Sequence, residues 1–161
     1  ASDNAASAVW TSVNGTDWTR RPEGTIGGAG LFYLSVDPDT GHMVTFAKQA
    51  QTGTEPNAWT SADGETWTQG TNAAAEAPAH AIWLDGDTIL AASRGQDGGN
   101  PALWLSRDAG STWHELTGPE TNLNPSNDYG MFTITWMGDR ILIAGQCDDC
   151  SGMWIGEPTD R

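Results

Sequence analysis

The chain has 161 residues, enough for one ordinary domain with a hydrophobic core. Its net charge of -14 argues against a nucleic-acid partner, because gripping phosphates needs a basic surface. No apolar run approaches the roughly 20 residues that a membrane-spanning helix requires.

Leu, Ile, Val and Phe are sparse, and with this charge such a composition is a signature of disorder. Nine tryptophans oppose that reading, since each buries about 150–250 Å² when packed. The expectation is a folded chain whose core is built from Trp as much as from aliphatic side chains. Abundant Ala, Gly, Asp, Thr and Trp beside a single lysine fit a secreted or cell-surface bacterial protein, and the opening ASDNAAS shows no secretory leader pattern.

In chain order, VWTSVNGTDWT at 9–19 reads as two short strands around a tight turn. Apolar runs at 31–36 (LFYLSV) and 43–47 (MVTFA) flank the turn Pro38-Asp39-Thr40-Gly41, which is hairpin chemistry. AWTSADGETWT at 58–68 repeats the first segment. Runs at 80–84 (HAIWL) and 88–92 (TILAA) form a second hairpin around Asp85-Gly86-Asp87, followed by LWLSRDAGSTWHEL at 103–116. A third pair, 131–137 (MFTITWM) and 141–144 (ILIA), turns at Gly138-Asp139. MWIGEP at 153–158 then repeats only the opening of the motif, with Gly156 in place of its Ser and Pro158 in place of its Asp. No segment has a sustained helical period, so an all-β chain is expected.

The period organises these pieces. Trp10, Trp59, Trp104 and Trp154 are spaced by 49, 45 and 50 residues, and Trp18, Trp67 and Trp113 by 49 and 46. A repeat of this length fits a four-stranded antiparallel propeller blade. With strands named a to d, the chain reads cd, abcd, abcd, abc: a partial blade at 9–19, blades at 31–68 and 80–116, and a partial blade at 130–158. That makes an incomplete ring of about 3–3.5 blades. Closure then calls for missing sequence, a partner chain or a homo-oligomer.

The repeated turn is Ser-x-Asp-(x)-Gly-x-Thr-Trp. It stands as Ser12, Asn14, Gly15 and Trp18; as Ser61, Asp63, Gly64 and Trp67; and as Ser106, Asp108, Gly110 and Trp113. A short acidic or amide side chain can accept backbone N–H bonds within such a turn, glycine permits positive φ, and Trp covers the hairpin. Three copies in register resemble the Asp-box (BNR) repeats of the sialidase-like propeller superfamily. The resemblance implies that these residues are structural and lie away from any active site. It also implies, for a sialidase, three clustered arginines, a Tyr nucleophile with Glu, an acidic Asp and an Arg-Ile-Pro motif. Arg-Ile-Pro is absent, and Arg20-Arg21-Pro22 is in the wrong register.

Long connections are expected at one end of the blades: d–a at 20–30, 69–79 and 117–130, and b–c at 48–57, 93–101 and 145–152. Binding residues gather on such loops. The candidates there are Arg21, Lys48, Arg94, His80, Asp128 and Tyr129, with Tyr129 the only loop tyrosine, since Tyr33 falls inside a strand. Guanidinium groups and an aromatic suit an anionic or sugar ligand; solvated loop residues are the plainer reading of each. Cys147 and Cys150 rank as a local disulfide first, free thiols second and a metal third. No metal or cofactor is assigned; calcium at Asp97-Gly98-Gly99-Asn100 or Asp148-Asp149 is a minor alternative without EF-hand spacing. The expected function is a non-catalytic extracellular module binding a glycan or a protein partner. The alternative is part of a sialidase-like glycoside hydrolase.

Overall fold

A computed structural model describes residues 8–22, 26, 31–47, 58–70, 78–93, 102–116, 128–147 and 150–157. Among the described residues, thirteen strands form four antiparallel sheets and no helix occurs. The first sheet is a two-stranded hairpin, β1 (Trp10–Thr11) with β2 (Thr19–Arg20). The second runs in order β3 (Leu31–Val36), β4 (Met43–Ala47), β5 (Ala58–Ser61) and β6 (Thr68–Gln69). The third repeats it with β7 (Pro78–Asp85), β8 (Thr88–Ser93), β9 (Ala102–Ser106) and β10 (His114–Leu116). The fourth has three strands, β11 (Asp128–Met137), β12 (Arg140–Cys147) and β13 (Cys150–Gly156).

Each of the three larger sheets is a meander, and their first strands meet: β3 lies against β7 and β7 against β11. These are propeller blades in an incomplete ring. The cores lie between sheets. Val44, Phe46 and Ala58 of the second sheet pack on Trp83, Ile89, Ala91 and Trp113 of the third. Ile82, Leu90, Ala92, Leu103 and Leu105 of the third pack on Ile134, Ile141 and Ile143 of the fourth. The alternation within β8 explains this. Ile89 and Ala91 point one way and Leu90 and Ala92 the other, so one strand feeds two cores.

Two expectations are corrected. The b–c connection at 145–152 is not a long loop, since β12 and β13 pair through Gly145↔Gly152, Gln146↔Ser151 and Cys147↔Cys150, leaving only residues 148 and 149 between the strands. Gly, Gln and Ser carry no hydrophobic alternation, so the ladder is invisible in the sequence there. Asp128 and Tyr129 lie inside β11 rather than in a loop before it, opposite Cys147 and next to Gly130.

Candidate functional site

The three repeated turns share one hydrogen-bond pattern. The Ser hydroxyl donates to the carboxylate or amide Oδ1, at 3.2 Å from Ser12 to Asn14, 3.1 Å from Ser61 to Asp63 and 2.8 Å from Ser106 to Asp108. That hydroxyl in turn accepts the N–H of Gly15, Gly64 and Gly110 at 2.8, 2.8 and 2.9 Å. Oδ1 accepts backbone N–H groups from the far side of the turn: Thr16 and Asp17, then Glu65 and Thr66, then Thr112. Each Trp closes the hairpin by donating its indole N–H to the glycine carbonyl, from Trp18, Trp67 and Trp113 at 3.2, 3.2 and 2.9 Å. The glycines sit at φ of 75°, 72° and 86°, where a side chain is disfavoured.

Electrostatics follow from that geometry. The N–H groups of Thr66 and Glu65 hold the Asp63 carboxyl below its ordinary value. Burial pulls Asp108 upward, but hydrogen bonds from Thr112, Ser106 and Ser111 together outweigh it and the net shift is down. Asp37, at the start of the β3–β4 turn, is likewise lowered, chiefly by the Thr40 hydroxyl. Each repeated turn is thus closed by its own hydrogen bonds.

The opposite end of the sheets is where β3, β7 and β11 begin. Each of these strands has a bulge near its start: between Phe32 and Leu34, between Pro78 and His80, and between Asp128 and Gly130. Bulges re-aim side chains and recur beside binding sites. Tyr33 is the extra residue in β3, at φ 28°, a conformation rare for a bulky residue. The residue is 52% exposed, and its ring stacks on His80 of the neighbouring sheet, with ring centroids 3.6 Å apart. Burial lowers the His80 pKa, favouring the neutral imidazole. The strand start also carries the backbone of Asp128 and Tyr129 to this end.

Of the sequence candidates, His80 therefore joins a residue that the sequence reading set aside, Tyr33. Only the bulge could have singled it out. Arg21 is engaged elsewhere: its guanidinium donates to Thr11 Oγ1 at 2.8 and 3.0 Å and pairs with Glu65 at 2.5 Å. Lys48, Arg94, Asp97-Gly98-Gly99-Asn100 and Asp148-Asp149 lie outside the described residues, as do the side chains of Asp128, Tyr129, Cys147 and Cys150. No metal-binding cluster occurs among the described residues.

A groove of about 350 Å³ separates the second and third sheets at the end of the repeated turns. Trp83 lines it, along with His42, Thr60, Asp63, Thr68 and Ser111. Trp83 is 5% exposed, and its indole N–H has no partner among the described residues.

No protein-family model matches the chain, and no curated protein is similar to it. Among solved structures it is similar to an ancestral GH74 enzyme, a member of a β-propeller family, at a TM-score of 0.59 and 14% identity. The match covers 97% of this chain and 22% of that one, so the chain spans about a fifth of its neighbour's length. At this identity the likeness defines the fold: stacked propeller blades.

Proposed function

We propose that the chain is a run of Asp-box blades of the sialidase-like kind that acts as a non-catalytic extracellular module binding a glycan. The ligand meets the end of the blades where β3, β7 and β11 begin. The observation that carries this reading is the Tyr33–His80 stack. An exposed phenol ring, braced from the adjacent blade and set out by a bulge, offers a flat apolar face with a polar tip, which suits a sugar ring. The neutral form of His80 lets one ring nitrogen donate and the other accept.

Calorimetric titration with cello-oligosaccharides and sialyllactose tests this. Tyr33→Gly removes the ring while suiting the local φ, so the fold persists and affinity falls by tenfold or more, about 1.4 kcal/mol. Unchanged affinity in that variant refutes the site, and binding to neither sugar refutes the glycan reading in favour of a protein ligand. A second reading, part of a glycoside hydrolase, is favoured by the GH74 neighbour. It requires release of p-nitrophenol from an aryl glycoside, abolished by a single carboxylate substitution.

We further propose that the ring is extended by another sheet of the same repeat on the outer face of β11–β13. Met153 and Ile155 stand exposed on this face.

A further inference from the structure

The seam between the first and second sheets and the seam between the second and third are built from equivalent positions, filled differently. In the first seam Arg21 follows strand β2, and its N–H donates to Val9 O; in the second Gly70 follows β6, and its N–H donates to Ala58 O, both at 2.9 Å. Thr11 beside Trp10 corresponds to Thr60 beside Trp59. Glu65, after Gly64 in the second turn, corresponds to Ser111, after Gly110 in the third. The first seam is bridged by the Arg21 guanidinium reaching Thr11 and Glu65. The second has neither the guanidinium nor the carboxylate at those positions, and there the groove opens, lined by Thr60 and Ser111.

The second seam cannot be filled in the same way from within. A Cβ at residue 70 would run into the backbone carbonyl of Gly110, which cannot yield as a flexible side chain can. Meanwhile the negative charge has moved rather than disappeared. Asp63 stands where the first turn has Asn14, lines the groove, and is kept ionised by the N–H groups of Thr66 and Glu65. Thr60 and Thr68, which carry hydroxyl acceptors, line the same groove, as does the aromatic Trp83. Acceptors, a carboxylate and an indole in one notch are the elements that hold a guanidinium.

We infer that this groove takes an arginine side chain from a protein partner, reproducing in trans the bridge that Arg21 makes in cis. The inference is independent of the glycan site, which lies at the other end of the strands. The chain's net charge of -14 favours approach of a basic partner.

The probe is N-acetyl-L-arginine amide, with the citrulline derivative as a neutral isostere and the lysine derivative as a point charge. Binding is read from the Trp83 indole ¹H–¹⁵N resonance. The expected result is a saturable shift with the arginine probe, weaker with lysine and absent with citrulline. Asp63→Asn, which installs the residue the first turn already tolerates, should weaken the arginine probe by up to about fivefold, and Ser111→Glu should tighten it by a similar factor, the scale of one solvent-exposed ion pair. An equal response to citrulline, or a Trp83 resonance unmoved by all three probes, overturns the inference. So does a Ser111→Glu variant that folds but binds no tighter.

Discussion

Gly15, Gly64 and Gly110 occupy one position of one repeated turn at nearly one backbone geometry, with φ between 72° and 86°. Replacing each with Ala therefore imposes the same backbone penalty, about 1–2 kcal/mol for a left-handed residue with a Cβ. What differs is the space. A Cβ at Gly15 meets nothing within 4 Å, and one at Gly64 meets Met43 Cε at 3.4 Å, an ordinary contact with a flexible tip. At Gly110 it lies 2.5 Å from Thr60 Cγ2, a β-branched methyl of the neighbouring sheet. Overpacking of that kind adds about 1–3 kcal/mol. The expected order of cost is Gly15→Ala ≈ Gly64→Ala < Gly110→Ala, the last totalling about 2–5 kcal/mol. Denaturant unfolding followed by tryptophan fluorescence measures it, with hydrogen exchange at residues 14–18 reporting on the first hairpin. Thr60→Ser removes the clashing methyl, so combining it with Gly110→Ala should recover much of the excess, a coupling visible in the double-mutant cycle. Equal costs for all three glycines, or no recovery with Thr60→Ser, would refute the interlocking of the third turn with the second sheet.

The serines of the turn give a parallel series. Ser106 is fully buried and bonded to Asp108 and Gly110, so Ser106→Ala should cost about 1–3 kcal/mol, while Ser12→Ala, in the exposed first turn, costs less; thermal unfolding separates them. Because burial lowers the His80 pKa below 6.5, the unfolded chain takes up the proton first, and this contribution is present above about pH 6.5 and lost as pH falls below it. His80→Gln should flatten that limb of a stability–pH profile. The lowered carboxyls of Asp37 and Asp108 contribute stability above 3.8 that is lost as pH drops through their folded values, so Asp37→Asn should reduce stability at pH 7 more than at pH 3. Light scattering should show concentration-dependent association that Met153→Asp suppresses without altering the circular dichroism; a monomer at every concentration refutes self-association through that face and leaves further sequence or a partner chain to supply the covering sheet.

The repeat was legible because its signal is chemical and periodic. Ser, Asp, Gly and Trp at fixed offsets specify a turn locally, and the tryptophan spacing sets the blade length. Strand bounds at 31–36 and 43–47 match β3 and β4 because Pro38 and Gly41 punctuate the runs. The far end of the last sheet was not legible, since a ladder through Gly145, Gln146 and Ser151 is held by backbone bonds with no apolar alternation to announce it. Tyr33 was read as a strand residue, as it is; its exposure comes from a one-residue bulge that flips its direction, and register has no signature in composition. The seam groove was invisible for a different reason. It arises from two substitutions, Gly70 for Arg21 and Ser111 for Glu65, that neighbour each other only once the sheets stack.

Stacking also explains why similar residues are buried in one sheet and exposed in the next. Leu90 and Ala92 of β8, paired with Leu105 and Leu103 of β9, form the face that buries β11–β13. The same register positions in the fourth sheet hold Leu142 and Ala144, paired with Ile155 and Met153, yet Met153 is 74% exposed. At the other end Ile134 and Trp136 of β11 pack on the third sheet, while Leu34 and Val36, their counterparts in β3 opposite Thr45 and Met43, stay half exposed. Each sheet contacts only its neighbours, so exposure records whether a neighbour is present and not what the sequence encodes. Under the proposed extension of the ring, the sheet that covers this face presents β-branched and aromatic residues in the pattern of Ile134, Ile141, Ile143 and Trp154.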